Sequence, residues 1–258
     1  KEDSKSENSE KSSEEKQSRD IFAMDTYMTV TAYGEHASEA VDKAETEIKR
    51  LDGMLSTGNE NSEVYKLNQN GEAVVSDDTA YLYERSEKIY KQTKGEFDIS
   101  IYPVMDAWGF TTQNYRIPSD EELKGLLENV NASKIQYDKA SKKVALPAGV
   151  KIDFGGIAKG YTSSRIMGIY KKCGVTSGMV SLGGNVQLLG AKPDGSFWRV
   201  AVQSPDDTND YLGVLEAEDK AVITSGGYER YFEENGKIYH HIIDPATGYP
   251  AENGLKSV

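Results

Sequence analysis

The chain has 258 residues, a formal net charge of −12, 37% hydrophobic and 28% charged residues, one cysteine and three histidines. That length can bury one large core or two small ones, while the acidic balance disfavours nonspecific nucleic-acid binding, which rests on clustered Lys and Arg. Cys173 alone forms no internal disulfide or cysteine metal cluster, and no apolar run approaches the roughly 18 residues needed to cross a membrane as a helix.

Residues 1–19 hold Ser, Glu and Lys with no aromatic or aliphatic side chain. They bury too little apolar surface to offset ordering entropy, so they read as a disordered tether. The chain opens on Lys1 rather than Met, so any targeting segment is expected upstream. The composition fits a lipoprotein stalk as well as a plain solvated charge run. From Tyr27 to Tyr33 the pattern alternates and stops at Gly34, which predicts a strand. Ala37, Ala40, Val41, Ala44, Ile48, Leu51 and Leu55 recur at helical spacing and predict a helix over 37–55. A polar loop follows, then a helix near 78–93. Ser119 with Glu122 is a capping-box signature ahead of Leu123, Leu126 and Leu127. Residues 134–138 and 143–147 read as a hairpin. Val150–Asp153 reads as a short strand running into the Gly155-Gly156 turn, and a helix from Ile157 to about Cys173 stops at Gly174. Strands are predicted at 178–182, 186–190, 197–204, 211–217 and 220–224. Asn235-Gly236 is the strongest short hairpin signal in the chain.

Five segments carry residue types suited to chemistry. In Asp153-Phe154-Gly155-Gly156-Ile157-Ala158-Lys159-Gly160-Tyr161-Thr162, glycines allow close backbone approach, a helix N-terminus favours phosphate, and Lys159 adds a point charge. It matches neither the dinucleotide-fold nor the P-loop fingerprint, and alone it is more often structural. Ser181-Leu182-Gly183-Gly184-Asn185 suggests a bulge or close approach between strands. Thr224-Ser225-Gly226-Gly227 offers small hydroxyl and backbone donors, or a plain turn. Trp108 and Phe110 flank Gly109, where a core role outweighs stacking on a ring system. In His240-His241-Ile242-Ile243-Asp244-Pro245-Ala246-Thr247-Gly248-Tyr249-Pro250, Asp244 can cap a turn. Two of only three histidines beside a carboxylate nonetheless favour function.

Taken in this order, with Met24-Asp25-Thr26 and Pro103…Trp108-Gly109-Phe110, these segments resemble the ApbE family of FAD:protein FMN transferases. The resemblance runs from about Met24 to Val258. It implies an α+β fold, a T-fold-like mixed sheet with helices packed on it and an FAD crevice between lobes, spanning 20–258 and truncated at its C-terminus. It implies FAD as substrate and Mg2+ as the metal, with Met24, Trp108, Gly109, Phe110, Lys159, Thr162, Gly183, Gly184, Ser225, Gly226 and Ile243 at the cofactor. The Ala158 backbone carbonyl would be a magnesium ligand, with the remaining ligands past Val258. His241 would be the catalytic base, for which an imidazole titrating near about 6.5 is suited, and Asp244 would orient it or bind the metal edge. The implied partner is a flavoprotein with an acceptor Thr or Ser, a redox-complex subunit or a secreted protein. The implied location is extracytoplasmic, on the cell membrane through a lipid anchor. The chain departs from the family at Gly58, where a Tyr usually follows Leu-Ser-Thr. A magnesium-dependent FAD pyrophosphatase and a non-catalytic FAD-binding lipoprotein remain the alternatives.

Overall fold

A computed structural model describes residues 15–207 and 209–258. The described residues fall into two compact units, 15–52 with 159–225 and 53–158 with 226–258.

The first unit is built on a five-stranded sheet of β1 (Lys16–Ala23), β2 (Thr26–Tyr33), β6 (Ser177–Leu182), β7 (Asn185–Leu189) and β10 (Ala221–Ile223), in the order β1-β2-β6-β7-β10. The α+β class holds, but this sheet, expected to be mixed, is antiparallel at each pairing. For β1–β2 and β6–β7 the reason is local: tight turns join them, and a two-residue connection can only reverse the chain. Helix α1 (Ala37–Leu55) supplies Ala37, Ala40, Val41, Ala44 and Ile48, the predicted stripe, to the core. Ile166, Met167 and Tyr170 come from α6 (Gly155–Lys172), and Met28, Val30, Val180 and Leu182 from the sheet. Glu47 ties the helices: Arg165 Nε donates to it at 2.9 Å, and Arg50 bonds it from its own helix. Arg50 first, then Arg165, hold the Glu47 carboxyl below its ordinary range. A hairpin of β8 (Trp198–Gln203) and β9 (Tyr211–Ala217) adds Trp198 and Val200 to a smaller core with Leu188.

The tether predicted over 1–19 is corrected at its end. Lys16–Arg19 lie in β1, each paired to β2, with Ser18 and Thr31 hydroxyls 2.9 Å apart and Arg19 Nη2 donating to Asp42 at 2.7 Å. An edge strand facing water needs no apolar residues, so composition hid it. The rest of that predicted tether, 1–14, lies outside the described residues.

The second unit holds α2 (Glu63–Asn70), α3 (Asp77–Thr93), α4 (Tyr102–Ala107) and α5 (Asp120–Leu127). Strands β3 (Glu72–Val74), β4 (Gln136–Asp138) and β5 (Lys143–Ala145) form a small sheet. Strands β11 (Tyr231–Glu234) and β12 (Lys237–His240) form a hairpin. The Asn235-Gly236 turn takes φ of 53° and 75°, the two left-handed positions that select this dipeptide. Ser119 accepts the Glu122 N–H as the capping signature predicts. Helix α2 lies between the predicted polar loop and the helix near 78–93, where no element is predicted; Ser62 caps its start and Gly71 its end.

Val150–Asp153 is not a strand. The Asn68 side chain receives the Ile152 N–H and donates to the Ile152 carbonyl, both at 2.8 Å, and Asp153 N–H bonds to the Ile99 carbonyl. One amide side chain thus takes the place of a neighbouring strand. Helix α6 starts at Gly155, two residues ahead of the predicted Ile157, so Gly155-Gly156 is the first helical turn itself. Asp153 Oδ1 accepts the Gly155 N–H, and the Ala158 N–H reaches the Phe154 carbonyl at 2.8 Å. These bonds compensate for the poor helix propensity of glycine.

Candidate functional site

In the first unit the predicted cofactor residues gather around two hairpin turns. Met24 and Asp25, between β1 and β2, have φ of 49° and 56°. For non-glycine residues the left-handed region costs roughly 1–2 kcal/mol each, and such strain tends to mark functional positions. Asp52 Oδ1 accepts the Met24 N–H at 2.8 Å and fixes the turn. Gly183 and Gly184, between β6 and β7, have φ of 58° and 82°. A Cβ on Gly183 would lie 2.4 Å from Thr26 Oγ1 and 3.0 Å from Lys159 Nζ. Lys159 and the two turns therefore converge. Thr162 is completely buried and its hydroxyl lies 3.8 Å from Met24 Sδ, which makes it a support for Met24. A Cβ on Gly184 would meet Thr224 Oγ1 at 3.6 Å, and Ser225 beyond it is exposed. Asn185, next in the turn, buries its side-chain oxygen without a hydrogen-bond partner.

In the second unit the predicted residues surround an aromatic core. Trp108 and Phe110 are 0% and 2% exposed. Trp108 is enclosed by Phe232, Tyr239 and Tyr249, and Phe110 by Tyr115 and Phe232. Gly109 turns between them at φ 81°, where a Cβ would strike the Asn114 carbonyl at 2.1 Å. Trp108 Nε1 donates to the Gly248 carbonyl at 2.7 Å, which pins the turn that follows the histidines. In that turn Asp244 accepts the Ala246 N–H, its carbonyl accepts from Thr247 and Gly248, and its N–H reaches Tyr249. Asp244 is thus the capping residue of an Asp-Pro turn. Ile243 packs on the aromatic core and bridges to Pro250. Gly226 bridges to Ser257, and a Cβ there would lie 2.2 Å from the Tyr228 ring.

His241 sits on the edge of this core, its ring 6.4 Å from that of Phe110 in a T-shaped contact. The Arg230 carbonyl lies 3.1 Å from His241 Nδ1 and also accepts the His241 backbone N–H at 3.1 Å. A carbonyl only accepts, so Nδ1 carries the proton and Nε2 is the basic nitrogen. Asp244 was expected to orient His241 or bind the metal edge; the contact at Nδ1 is made by the Arg230 backbone carbonyl.

A model of the ApbE family matches residues 24–258. The chain belongs to the ApbE family. It is 31% identical over 242 residues to the FAD:protein FMN transferase of Haemophilus influenzae, covering 89% of this chain and 69% of that protein. It is 30% identical over 236 residues to the enzyme of the same name from Escherichia coli strain K12, covering 86% and 66%. The chain thus spans about two thirds of the length of these curated relatives. The crystal structure of the ApbE protein from Thermotoga maritima superposes with a TM-score of 0.89 at 33% identity, over 94% of this chain and 80% of that one. The Pseudomonas stutzeri flavinyl transferase ApbE gives 0.83 at 27% identity, over 94% and 78%.

Magnesium, which the ApbE resemblance implies, prefers six oxygen ligands and commonly keeps waters and phosphate oxygens among them. Among the described residues no three His, Cys, Asp or Glu side chains come together. Ala158, whose backbone carbonyl the resemblance names as a ligand, lies buried in the first turn of α6. These residues do not by themselves form a magnesium site, and no chemical step is assigned to the ion. Arg230 and Asp52 were missed in this ApbE chain's sequence: Arg230 acts through a backbone carbonyl, which no residue type announces. Replacing Gly183 with Ala is expected to destabilise the fold by about 1–2 kcal/mol, read as a lowered midpoint in thermal unfolding. An unchanged midpoint would show that Thr26 and Lys159 yield without cost.

Proposed function

We propose that this chain is the transferase domain of an FAD:protein FMN transferase. A Thr or Ser hydroxyl of a target flavoprotein attacks the FMN phosphorus of FAD. The new Oγ–P bond forms as the diphosphate P–O bond breaks, and AMP leaves with the electron pair. An alcohol is a poor nucleophile at neutral pH and needs a base. His241 Nε2 takes the hydroxyl proton, and the observation that carries this is the Arg230 carbonyl holding the proton on Nδ1. Lys159 supplies positive charge for the phosphates, and beside the Gly155 N–H, which Asp153 holds, the exposed Gly156 at the start of α6 offers a helix N-terminus to an anion. Met24, Gly183 and Gly184 shape a cofactor contact, where the unbonded Asn185 oxygen can take a donor from a ligand.

Magnesium dependence enters through the resemblance alone. An extracytoplasmic, lipid-anchored location belongs to the same proposal, as does an acceptor that is a redox-complex subunit or a secreted flavoprotein. The test is in-gel flavin fluorescence of a candidate target after incubation with full-length protein, FAD and magnesium. We expect a fluorescent target band that chelator abolishes and restored magnesium recovers. Free FMN without a labelled target would indicate a pyrophosphatase, and intact FAD after hours a binding protein; either overturns the transferase reading. Labelling that persists in chelator would remove magnesium from it.

A further inference from the structure

His240 and His241 adjoin in the chain, yet they use the same ring atom in opposite ways. His241 Nδ1 donates to the Arg230 carbonyl. His240 Nδ1 accepts the Ile242 N–H at 3.3 Å. A neutral imidazole has one donor and one acceptor nitrogen, so His240 carries its proton on Nε2 and His241 on Nδ1. The His240 bond is a bracket that begins one residue before His241 and ends one residue after it. The His241 N–H is held separately by the Arg230 carbonyl. Both peptide groups flanking His241 are therefore fixed, which sets the direction of its Cα–Cβ bond, and the Nδ1 bond to the Arg230 carbonyl then holds the ring.

The bracket has a seat of its own. The His240 ring lies against Gly227, where an ideal Cβ would come 2.7 Å from Cδ2 and 2.9 Å from Cγ. Gly227 lies in a turn but is absent from the left-handed φ positions, so this glycine serves to make room for the ring and not to supply a left-handed φ. The bracket also leads into a closed loop: the Ile242 carbonyl accepts the Ala251 N–H, and Ile243 bridges to Pro250.

We infer that His240 is a positioning residue that sets the orientation of His241, and that Gly227 is the gap that admits it. The kinetic part of this inference rests on the transferase reading; its structural part does not. In full-length protein, His240→Ala removes the acceptor and Gly227→Ala displaces the ring. His240→Asn keeps an oxygen able to accept an N–H two residues on, as in an Asx turn.

Misorienting a catalytic group by about 1 Å can cost about a hundredfold, so His240→Ala and Gly227→Ala are expected to lower kcat for FMN transfer about tenfold or more, with KM for FAD little changed. His240→Asn is expected to recover most of the loss. In parallel, amide hydrogen exchange at Ile242, read by NMR, should accelerate in the Ala variants and stay protected in the Asn variant. The inference is overturned if His240→Ala keeps the wild-type kcat, if Asn is as slow as Ala, or if the Ile242 amide is equally protected in all forms. Should the wild-type protein transfer no FMN, the transferase reading falls, and the exchange measurement still decides whether the bracket exists.

Discussion

His241→Ala will slow FMN transfer by about 10²- to 10⁴-fold, the usual contribution of a positioned general base, while FAD binding persists. The attacking hydroxyl holds its proton at neutral pH, and its oxygen becomes a competent nucleophile only as that proton leaves. The Arg230 carbonyl fixes the imidazole with its basic nitrogen at Nε2. The T-shaped contact with Phe110 keeps the ring at the rim of the aromatic core. An alanine removes the base and leaves the core aromatics and the turn at Asp244 in place. The loss should therefore fall on kcat, with KM for FAD little altered, the signature of an interaction made in the transition state. Time courses of target labelling, with FAD affinity measured on the same samples, separate the two. A kcat within about threefold of wild type would take His241 out of the role of base.

Which parts of this were legible in the sequence follows from what each part is made of. Helix α1 announces itself because Ala37, Val41, Ala44 and Ile48 are buried side by side, and burial selects residue type at the helical period. The same rule conceals β1 over Lys16–Arg19, where the strand is held by backbone pairing and surface polar contacts. Val150–Asp153 carried a strand-like pattern but found its partner in the Asn68 side chain, a long-range choice that local pattern does not encode. At the site, His241 stood out because histidine is scarce. The carbonyl that sets its tautomer and the left-handed Met24-Asp25 turn are backbone features that residue identity does not report. Trp108 and Phe110 were conspicuous for a different reason: large aromatics around a glycine serve a core more often than a ligand, and the core is where they lie.

That core makes Trp108→Ala the costliest single change expected for stability. The indole is completely buried, with its ring centroid 5.3 Å from Tyr239, 5.6 Å from Tyr249 and 6.2 Å from Phe232. Truncating a buried aromatic costs about 3–5 kcal/mol through lost transfer energy and the cavity left behind. Trp108→Phe keeps most of the packing but abandons the 2.7 Å bond to the Gly248 carbonyl, for which about 1–3 kcal/mol is expected. Because Gly248 closes the turn that begins at Asp244, the Phe variant should also loosen that turn and slow transfer more than its modest stability loss would suggest. Urea unfolding of the two variants gives the stability ranking, and target labelling gives the second effect. A loss below about 1 kcal/mol for Trp108→Ala would mean that the aromatic cluster repacks around the gap, and equal losses for Ala and Phe would mean that the indole bond, not the ring, holds this core.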